Sequence, residues 1–377
     1  MEIKSIASLC LAAAAAASIA STPSPAQLSS NATVYASGLE GPRGLKFGPD
    51  GLLYVAEAGT GGTTSTSGKC TQVVPPIGPY VNGNTARISK IDKSGNRTTV
   101  ASGFPSTQSS DPTKDTSGVA DIAFLNGTLY AVLAGGGCSH GSASIPNAVV
   151  KVDTKSGAWN IVANLSQFVQ ANPAKYENVA DFEPDGIFYS LIAYRDLLYT
   201  VEPNHGQVFS ISPGGSIREA IDISEAEGHI VPTSIFAKDD NFYVGNLGLF
   251  PVTLNASKIL TLSKDFPSNN SIPGLDLCAD VNKLKVVGSR AGFATIVALD
   301  LGPDGLLYAL ELSPAVGYPT PGVGKVVRLN RAGEIEDVAT GLAVPTGMTF
   351  GPDGYLYVSN FGAAPAGAGQ ILRISIP

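Results

Sequence analysis

Six times along this chain an apolar stretch ends in a tight turn and resumes with a Leu-Tyr or Phe-Tyr pair. Apolar runs separated by Asp-Gly, Asn-Gly or a similar polar pair are typical of antiparallel hairpins. The six turn cores are residues 50–54, 126–130, 195–199, 240–243, 304–308 and 353–357. Repetition of one small unit predicts a ring of sheets, an all-β six-bladed β-propeller.

Each unit is expected to supply four antiparallel strands, with strand A innermost, strand D outermost and the turn core between A and B. In the first unit the predicted strands cover residues 42–47, 52–57, 86–92 and 98–102. The tyrosines of successive units are unevenly spaced, which indicates inserted loops rather than missing strands.

The two ends of the chain are predicted to meet in the sixth blade. Residues 33–39 resemble the fourth-strand segments 99–103 and 337–342, whereas the last unit ends after its third strand, residues 370–376. An N-terminal strand would therefore complete blade 6 and leave no open sheet edge.

Chain direction assigns the connections to two faces. The ends of strands B, the B–C loops and the D–A crossovers share one face, called here the loop face, and the A–B and C–D turns share the turn face. Long B–C loops follow Glu57, Leu133, Asn246, Glu311 and Asn360. Because variable loops on a rigid frame often carry function, we expect the functional site on the loop face.

The N-terminus reads as a secretory signal, with Lys4 before an apolar run over residues 6–20 and then small residues and prolines. We expect residues 1–26 to be removed, by cleavage after Ala20 or Ala26, and residues 27–377 to form one secreted, monomeric domain. A net charge of -7 and a pI near 5.0 offer no basic surface, so neither nucleic acid nor a membrane is an expected partner.

Removal of Cys10 with the signal leaves three cysteines in an oxidising compartment. Cys70 and Cys138 fall in B–C loops of neighbouring blades, whereas Cys278 falls in a C–D insertion on the turn face. We expect a Cys70–Cys138 disulfide, with three free thiols as the alternative.

Six N-glycosylation sequons, which carry no meaning in a bacterial protein, begin at Asn31, Asn96, Asn126, Asn164, Asn255 and Asn269.

Several runs resemble the ScyD/ScyE family of exported six-bladed propellers, named for the scytonemin pigment cluster. They are residues 41–59 with Val-Ala-Glu-Ala-Gly, residues 231–234, residues 345–347, and residues 357–362 with Ser-Asn-Phe-Gly. The resemblance extends over residues 33–376, and the chain is more distantly similar to NHL-repeat and gluconolactonase-type propellers. For members of the pigment cluster it implies at most a role in oxidative assembly of an indolic pigment.

Oxygen-bearing residues recur where strand B reaches the loop face: Glu57, Glu202, Asn246, Glu311 and Asn360. With Asp121 on a strand A they could line the channel mouth and suit a hydroxylated ligand or a hard cation such as calcium. Likeness to gluconolactonase-type propellers implies a bound divalent cation, with Ca²⁺ as the expected ion. Its predicted ligands are Glu57, Asn246, Glu311, Asn360 and Asp121. The alternative is that these side chains accept main-chain N–H bonds.

Three further sets of side chains are expected near the same mouth. Arg43 could hold a substrate carboxylate or neutralise Glu57 or Glu311. His140, His205 and His229 map to loops of neighbouring blades and, with Glu202, could form an acid–base or metal cluster, or could stand separately. Tyr80, Phe250, Tyr318 and Phe361 could stack on a flat ligand or pack as lids.

These patterns favour an exported propeller whose loop face binds a small polar or aromatic molecule, with a cation at the channel. One alternative is an enzyme, a lyase, lactone hydrolase or secondary-metabolite oxidase, with Glu57, Glu202 or Glu311 as general base. Another alternative is a scaffold whose loops contact a partner protein.

Overall fold

A computed structural model describes residues 27–110, 114–264, 283–363 and 367–376. The predicted signal over residues 1–26, Cys278 and the sequon at Asn269 lie outside these ranges. Within them, six small sheets form the blades of a propeller, as predicted.

The strands run from the innermost to the outermost position in each blade. Blade 1 contains β2 (Pro42–Phe47), β3 (Leu53–Glu57), β4 (Val81–Ile91), β5 (Arg97–Gln108) and β6 (Thr116–Ser117). Blade 2 contains β7 (Val119–Leu125), β8 (Thr128–Leu133), β9 (Ala148–Val152) and β10 (Trp159–Asn164). Blade 3 contains β11 (Leu191–Tyr194), β12 (Leu197–Glu202), β13 (Gln207–Ile211) and β14 (Ile217–Asp222).

The other three blades follow the same order. Blade 4 contains β15 (Pro232–Lys238), β16 (Asn241–Asn246), β17 (Ser257–Lys264) and β18 (Leu284–Phe293). Blade 5 contains β19 (Ile296–Leu301), β20 (Leu307–Glu311), β21 (Gly324–Leu329) and β22 (Ile335–Leu342). Blade 6 contains β23 (Gly347–Phe350), β24 (Leu356–Asn360), β25 (Gly369–Ile374) and the N-terminal β1 (Ala32–Leu39).

Two short helices, α1 (Leu165–Ala171) and α2 (Ile223–Glu227), follow the outer strands of blades 2 and 3. Neither was predicted, because each covers one or two turns on a crossover. Among the described residues, no helix combines the length and apolar character that crossing a membrane requires.

The predicted closure of the ring is confirmed. β1 pairs antiparallel with β25, with Ala32 opposite Ile374 and Thr33 opposite Arg373. Blade 1 departs from the prediction, because β4 and β5 extend beyond the sheet proper and β6 adds a fifth strand through the pairing of Thr107 with Ser117.

The turn face follows one local rule in blades 1, 5 and 6. Asp50 Oδ1 accepts a hydrogen bond from the Leu52 N–H (3.1 Å), and Asp50 Oδ2 accepts one from the Tyr54 hydroxyl (3.0 Å). Gly51 between them has a φ of 72°, a conformation that glycine adopts without strain. The same Tyr–Asp bond joins Tyr308 to Asp304 and Tyr357 to Asp353.

The apolar core lies between adjacent blades. Leu45, Val55 and Ile91 of blade 1 pack with Tyr357 and Ile371 of blade 6, and comparable clusters fill the other junctions. The axis itself is tight, since a Cβ on Gly44 would lie 1.8 Å from Asp121 Oδ1. Only about 30 Å³ of open volume remains between the innermost strands.

Candidate functional site

The five oxygen-bearing residues at the ends of strands B hold the crossovers that enter their own blades. Main-chain N–H groups of these crossovers donate as follows: Glu40 to Glu57 Oε2 (2.7 Å), Ile187 to Glu202 Oε1 (2.7 Å), Ala294 to Glu311 Oε1 (2.8 Å) and Ala343 to Asn360 Oδ1 (2.7 Å). In blade 4, Asn246 Nδ2 donates to the Ile230 carbonyl (2.8 Å). In blades 1, 3, 4, 5 and 6 this position therefore has the same role, a hydrogen bond to the main chain of the entering crossover.

This geometry does not fit the predicted calcium set. Glu57, Glu311 and Asn360 direct their oxygens to different crossovers, whereas Asn246 Oδ1 accepts the Lys258 N–H of β17 (2.7 Å). The described residues contain no group of three or more His, Cys, Asp or Glu arranged for a metal. The alternative stated above, that such side chains accept main-chain N–H bonds, accounts for all five.

The candidate general bases are similarly occupied. Burial raises the pKa of Glu57 to about 6, although hydrogen bonds from Ser89 and Arg97 and the charge of Arg97 lower it. Arg97 Nη1 lies 2.9 Å from Glu57 Oε2. Burial also raises the pKa values of Glu202 and Glu311. None of the three lines the cavity of about 480 Å³ on the loop face, so the structure offers them no route to a substrate there.

All three histidines converge on one segment of the blade 2 to blade 3 crossover, residues 181–185, called here the acidic crossover. His140 Nε2 lies 2.6 Å from Glu183 Oε2, His229 Nε2 lies 2.8 Å from Asp181 Oδ2, and His205 Nε2 lies 3.1 Å from the Glu183 carbonyl. The predicted proximity holds, but each imidazole has its own partner and Glu202 instead accepts the His205 main-chain N–H.

The His140–Glu183 pair is buried and ties a blade 2 loop to the acidic crossover. Burial lowers the pKa of His140, but the hydrogen bond and charge of Glu183, with the Gly136 carbonyl and Asp185, outweigh it and raise the pKa above its ordinary value. Asp185 Oδ2 accepts hydrogen bonds from the Ser139 N–H (2.7 Å) and hydroxyl (2.6 Å). These contacts are structural, because His140 and Ser139 have no exposed surface.

A disulfide joins Cys70 to Cys138 with a Cα–Cα distance of 6.3 Å, which confirms the predicted pair. It links the B–C loop of blade 1 to that of blade 2, beside the buried His140. The loop-face connections of blades 1, 2 and 3 are thereby fastened to one another.

A cavity of about 480 Å³ opens on the loop face above the channel. Four blades contribute to its wall. The wall includes Arg43, Asp115, Asp181, Tyr189, Leu249 and Phe250. The cavity lies on the face where the sequence patterns predicted a ligand.

Arg43 lies at the inner wall of this cavity. Its Nη2 donates to Asp115 Oδ1 (3.2 Å) and to the Thr116 carbonyl. Burial raises the pKa of Tyr189 to about 12 against the charge of Arg43, and the Tyr189 hydroxyl donates to the Thr346 carbonyl (3.1 Å). The charge of Arg43 is thus neutralised by Asp115. Neutralisation was one of the two hypotheses for Arg43, but with Glu57 or Glu311 as the partner.

Asp121 lies in the narrow channel and joins two blades. Its Oδ1 accepts the Ile122 N–H (2.8 Å), and its Oδ2 accepts the Leu191 N–H (2.7 Å). Burial raises its pKa to about 6 even though Lys46 and these hydrogen bonds lower it. Its role in the structure is to clamp blade 2 to blade 3.

The sequons differ in accessibility. Asn96, Asn126 and Asn255 are exposed. Asn31 Nδ2 donates to the Val338 and Ser375 carbonyls (2.9 and 3.0 Å), so a glycan there would remove contacts at the ring closure. Asn164 Oδ1 caps α1 by accepting the Gln167 N–H (3.0 Å).

The sequence patterns did not indicate Asp115, Asp181 or Leu249 as cavity residues. The signal for Asp181 was the run Asp181-Phe-Glu-Pro-Asp185, in which acids alternate with apolar residues outside any predicted strand. Such a run suggests that the acids have hydrogen-bond partners inside the protein. The three histidines, for which the sequence showed no partner, were the natural candidates. No comparable pattern marks Asp115 or Leu249.

No protein-family model matches the chain, and no curated protein matches it by sequence. Solved structures do resemble it. The gluconolactonase XC5397 from Xanthomonas campestris has a TM-score of 0.53 at 11% identity, covering 92% of this chain and 89% of its own. The PQQ-bound aldose sugar dehydrogenase from Streptomyces coelicolor has a TM-score of 0.52 at 15% identity, covering 94% and 99%.

A third structure, described as the calcium-binding protein regucalcin from Agrobacterium tumefaciens, has a TM-score of 0.50 at 13% identity, covering 91% of this chain and 92% of its own. At such identities the likeness shows the fold alone. The chain therefore shares the propeller of gluconolactonase-like proteins, and its function must be argued from its own residues.

Proposed function

We propose that this propeller binds a small organic molecule in the loop-face cavity. The observation that carries the proposal is the cavity itself, about 480 Å³ of open volume at the axial end of four blades, with Arg43 and Asp181 in a largely apolar wall. A few polar groups in an apolar concavity are typical of small-molecule sites.

The disulfide supports a second part of the proposal, that the protein acts outside the cytosol. Structural disulfides persist mainly in oxidising compartments. Cation binding is not part of the proposal, because the nominated oxygens already serve main-chain groups.

The test is a fragment screen by saturation-transfer NMR on three proteins. Ala180 is exposed and lines the cavity, so Ala180→Trp places an indole in it without removing core packing. Val179 is 81% exposed on the same turn but does not line the cavity, so Val179→Trp is the matched control.

We expect fragments that bind wild type and Val179→Trp equally and lose binding to Ala180→Trp. Fragments unaffected by Ala180→Trp, or the absence of any bound fragment, would refute the proposal.

One observation favours an enzyme as a second candidate. Asp181 lines the cavity and is hydrogen-bonded to His229, an arrangement able to move a proton at a bound substrate. In this proposal the acid–base pair is Asp181–His229, and the buried Glu57, Glu202 and Glu311 are not involved. Catalytic turnover of a fragment found in the screen, lost in His229→Gln with binding retained, would establish it.

A further inference from the structure

We infer that the cavity selects an uncharged aromatic molecule carrying a carbonyl at one end and a hydroxyl at the other. This inference rests on the proposed function and specifies its ligand class. Three features of the wall carry it: the unused donors of Arg43, the unused acceptor of Asp181, and the apolar rim formed by Leu249 and Phe250.

Arg43 offers hydrogen-bond donors to the cavity. Nη2 donates to Asp115 and to the Thr116 carbonyl, and the Arg43 guanidinium also hydrogen-bonds the Tyr189 side chain. A guanidinium has five N–H donors in a planar fork, so donors remain for a planar oxygen acceptor on a ligand.

Asp181 offers the complementary acceptor. Its Oδ2 is paired with His229, while within the described part of the chain Oδ1 has no hydrogen-bond partner. Asn204 Nδ2 donates to the Asp181 carbonyl (2.7 Å) and fixes the main chain beneath it. A ligand hydroxyl could donate to Oδ1, since an ionised carboxylate accepts only.

Charge decides between a neutral carbonyl and a carboxylate on Arg43. The charged side chains of the wall are one cation, Arg43, and two anions, Asp115 and Asp181, which leaves a net of one negative charge. A carboxylate ligand would displace or face Asp115 and add a further negative charge in a partly desolvated space. A neutral carbonyl gains the Arg43 bond without that repulsion.

The rim decides between an aromatic ring and a polyol. Leu249 and Phe250 are consecutive, 53% and 41% exposed, and border the cavity. Their loop is held in place from blade 5, because the Val252 N–H donates to the Gly317 carbonyl (2.6 Å). A flat ring buries this apolar surface, whereas polyol hydroxyls would lose water there without gaining partners.

The probes form a matched series, measured by calorimetry at pH 7. The lead is 6-acetyl-2-naphthol, which is compared with 2-naphthol (no carbonyl), 2-acetylnaphthalene (no hydroxyl), 6-hydroxy-2-naphthoate (charged) and glucose (polyol). We expect 6-acetyl-2-naphthol to bind about tenfold more tightly than each compound lacking one polar group. The charged compound and glucose should bind more weakly still.

Single substitutions tested against the ligand series distinguish the loss of one ligand contact from a general disturbance of the cavity. Arg43→Gln should weaken 6-acetyl-2-naphthol about tenfold and leave 2-naphthol unchanged, and Asp181→Asn should act in the same way on the hydroxyl. Leu249→Ser should weaken the whole naphthalene series, whereas Leu254→Ser, 47% exposed on the same loop and outside the cavity wall, should not.

Tighter binding of the naphthoate or of glucose, or equal losses for all ligands in Arg43→Gln, would overturn the inference. If the naphthalenes fail while other fragments still bind in a way that Ala180→Trp abolishes, the inference is wrong and the proposed function stands. If Ala180→Trp affects no ligand at all, both are wrong.

Discussion

The turn face and the loop face of this propeller are built by different means. On the turn face an aspartate bonds to residues two and four positions ahead, as Asp50 does with Leu52 and Tyr54. On the loop face Tyr80 and His140 both reach Glu183, across 103 and 43 positions of sequence. Local contacts repeat and can be read from a motif, whereas distant contacts are specific to one pair and produce the irregular surface that a ligand site needs.

The largest expected effect comes from breaking the distant buried pair on the loop face. Glu183→Ala leaves His140 buried without its acidic partner, so the free energy of unfolding should fall by about 3–5 kcal/mol in urea denaturation. Glu177→Ala, an exposed position on the same crossover, should change it by less than about 0.5 kcal/mol. Equal effects of the two substitutions would show that the pair does not hold the loop face.

The next effect comes from the covalent link. Cys70 and Cys138 are 68 positions apart, so replacing both with serine frees a long loop in the unfolded chain and should cost about 3 kcal/mol of stability. Removal of the disulfide and Glu183→Ala loosen the same loops. Combining them should therefore lower the free energy of unfolding by less than the sum of the separate losses. Full additivity would mean that the disulfide and the buried pair act on independent parts of the structure.

The channel between the faces should respond to pH through Asp121. Its pKa in the folded protein is about 6, above the ordinary value of 3.8, so the folded state binds more protons between these values. Stability from this group is therefore fully present below about pH 4 and is lost as the pH rises through 6.

Unfolding free energies of wild type and Asp121→Asn, measured from pH 4 to pH 7, isolate this contribution. The wild type should lose about 2 kcal/mol relative to the variant over that range. Parallel pH profiles would contradict the assignment.

The smallest effects belong to the turn face. Tyr308→Phe removes the hydroxyl that donates to Asp304 and should lower the free energy of unfolding by about 1 kcal/mol. Tyr54→Phe and Tyr357→Phe should do the same, and the triple variant should lose the sum, because the three turns share no partner. A triple variant far less stable than the sum would show that the turns are coupled through the ring.

Sequence patterns predicted the repeated parts of this molecule closely. Strand A of blade 1 covers the predicted residues, and β1 completes blade 6 as expected. The disulfide was also predictable, because the blade layout placed two cysteines in neighbouring loops on one face.

The candidate site was harder to predict from the sequence. The recurring residues Glu57, Glu311 and Asn360 suggested a shared cation site, but recurrence reflects a need that every blade has, which is to satisfy the main chain of its crossover. The cavity residues come from unlike connections: Asp115 before β6, Asp181 on a crossover and Leu249 on a B–C loop. Their proximity depends on loop paths that no local pattern records.

The most direct test of the account is a crystal structure of the protein soaked with 6-acetyl-2-naphthol. We predict electron density for the ring against Leu249 and Phe250, with an oxygen within hydrogen-bond distance of Arg43. Density for the compound elsewhere, with the loop-face cavity containing only water, would contradict the claim that this cavity is the binding site.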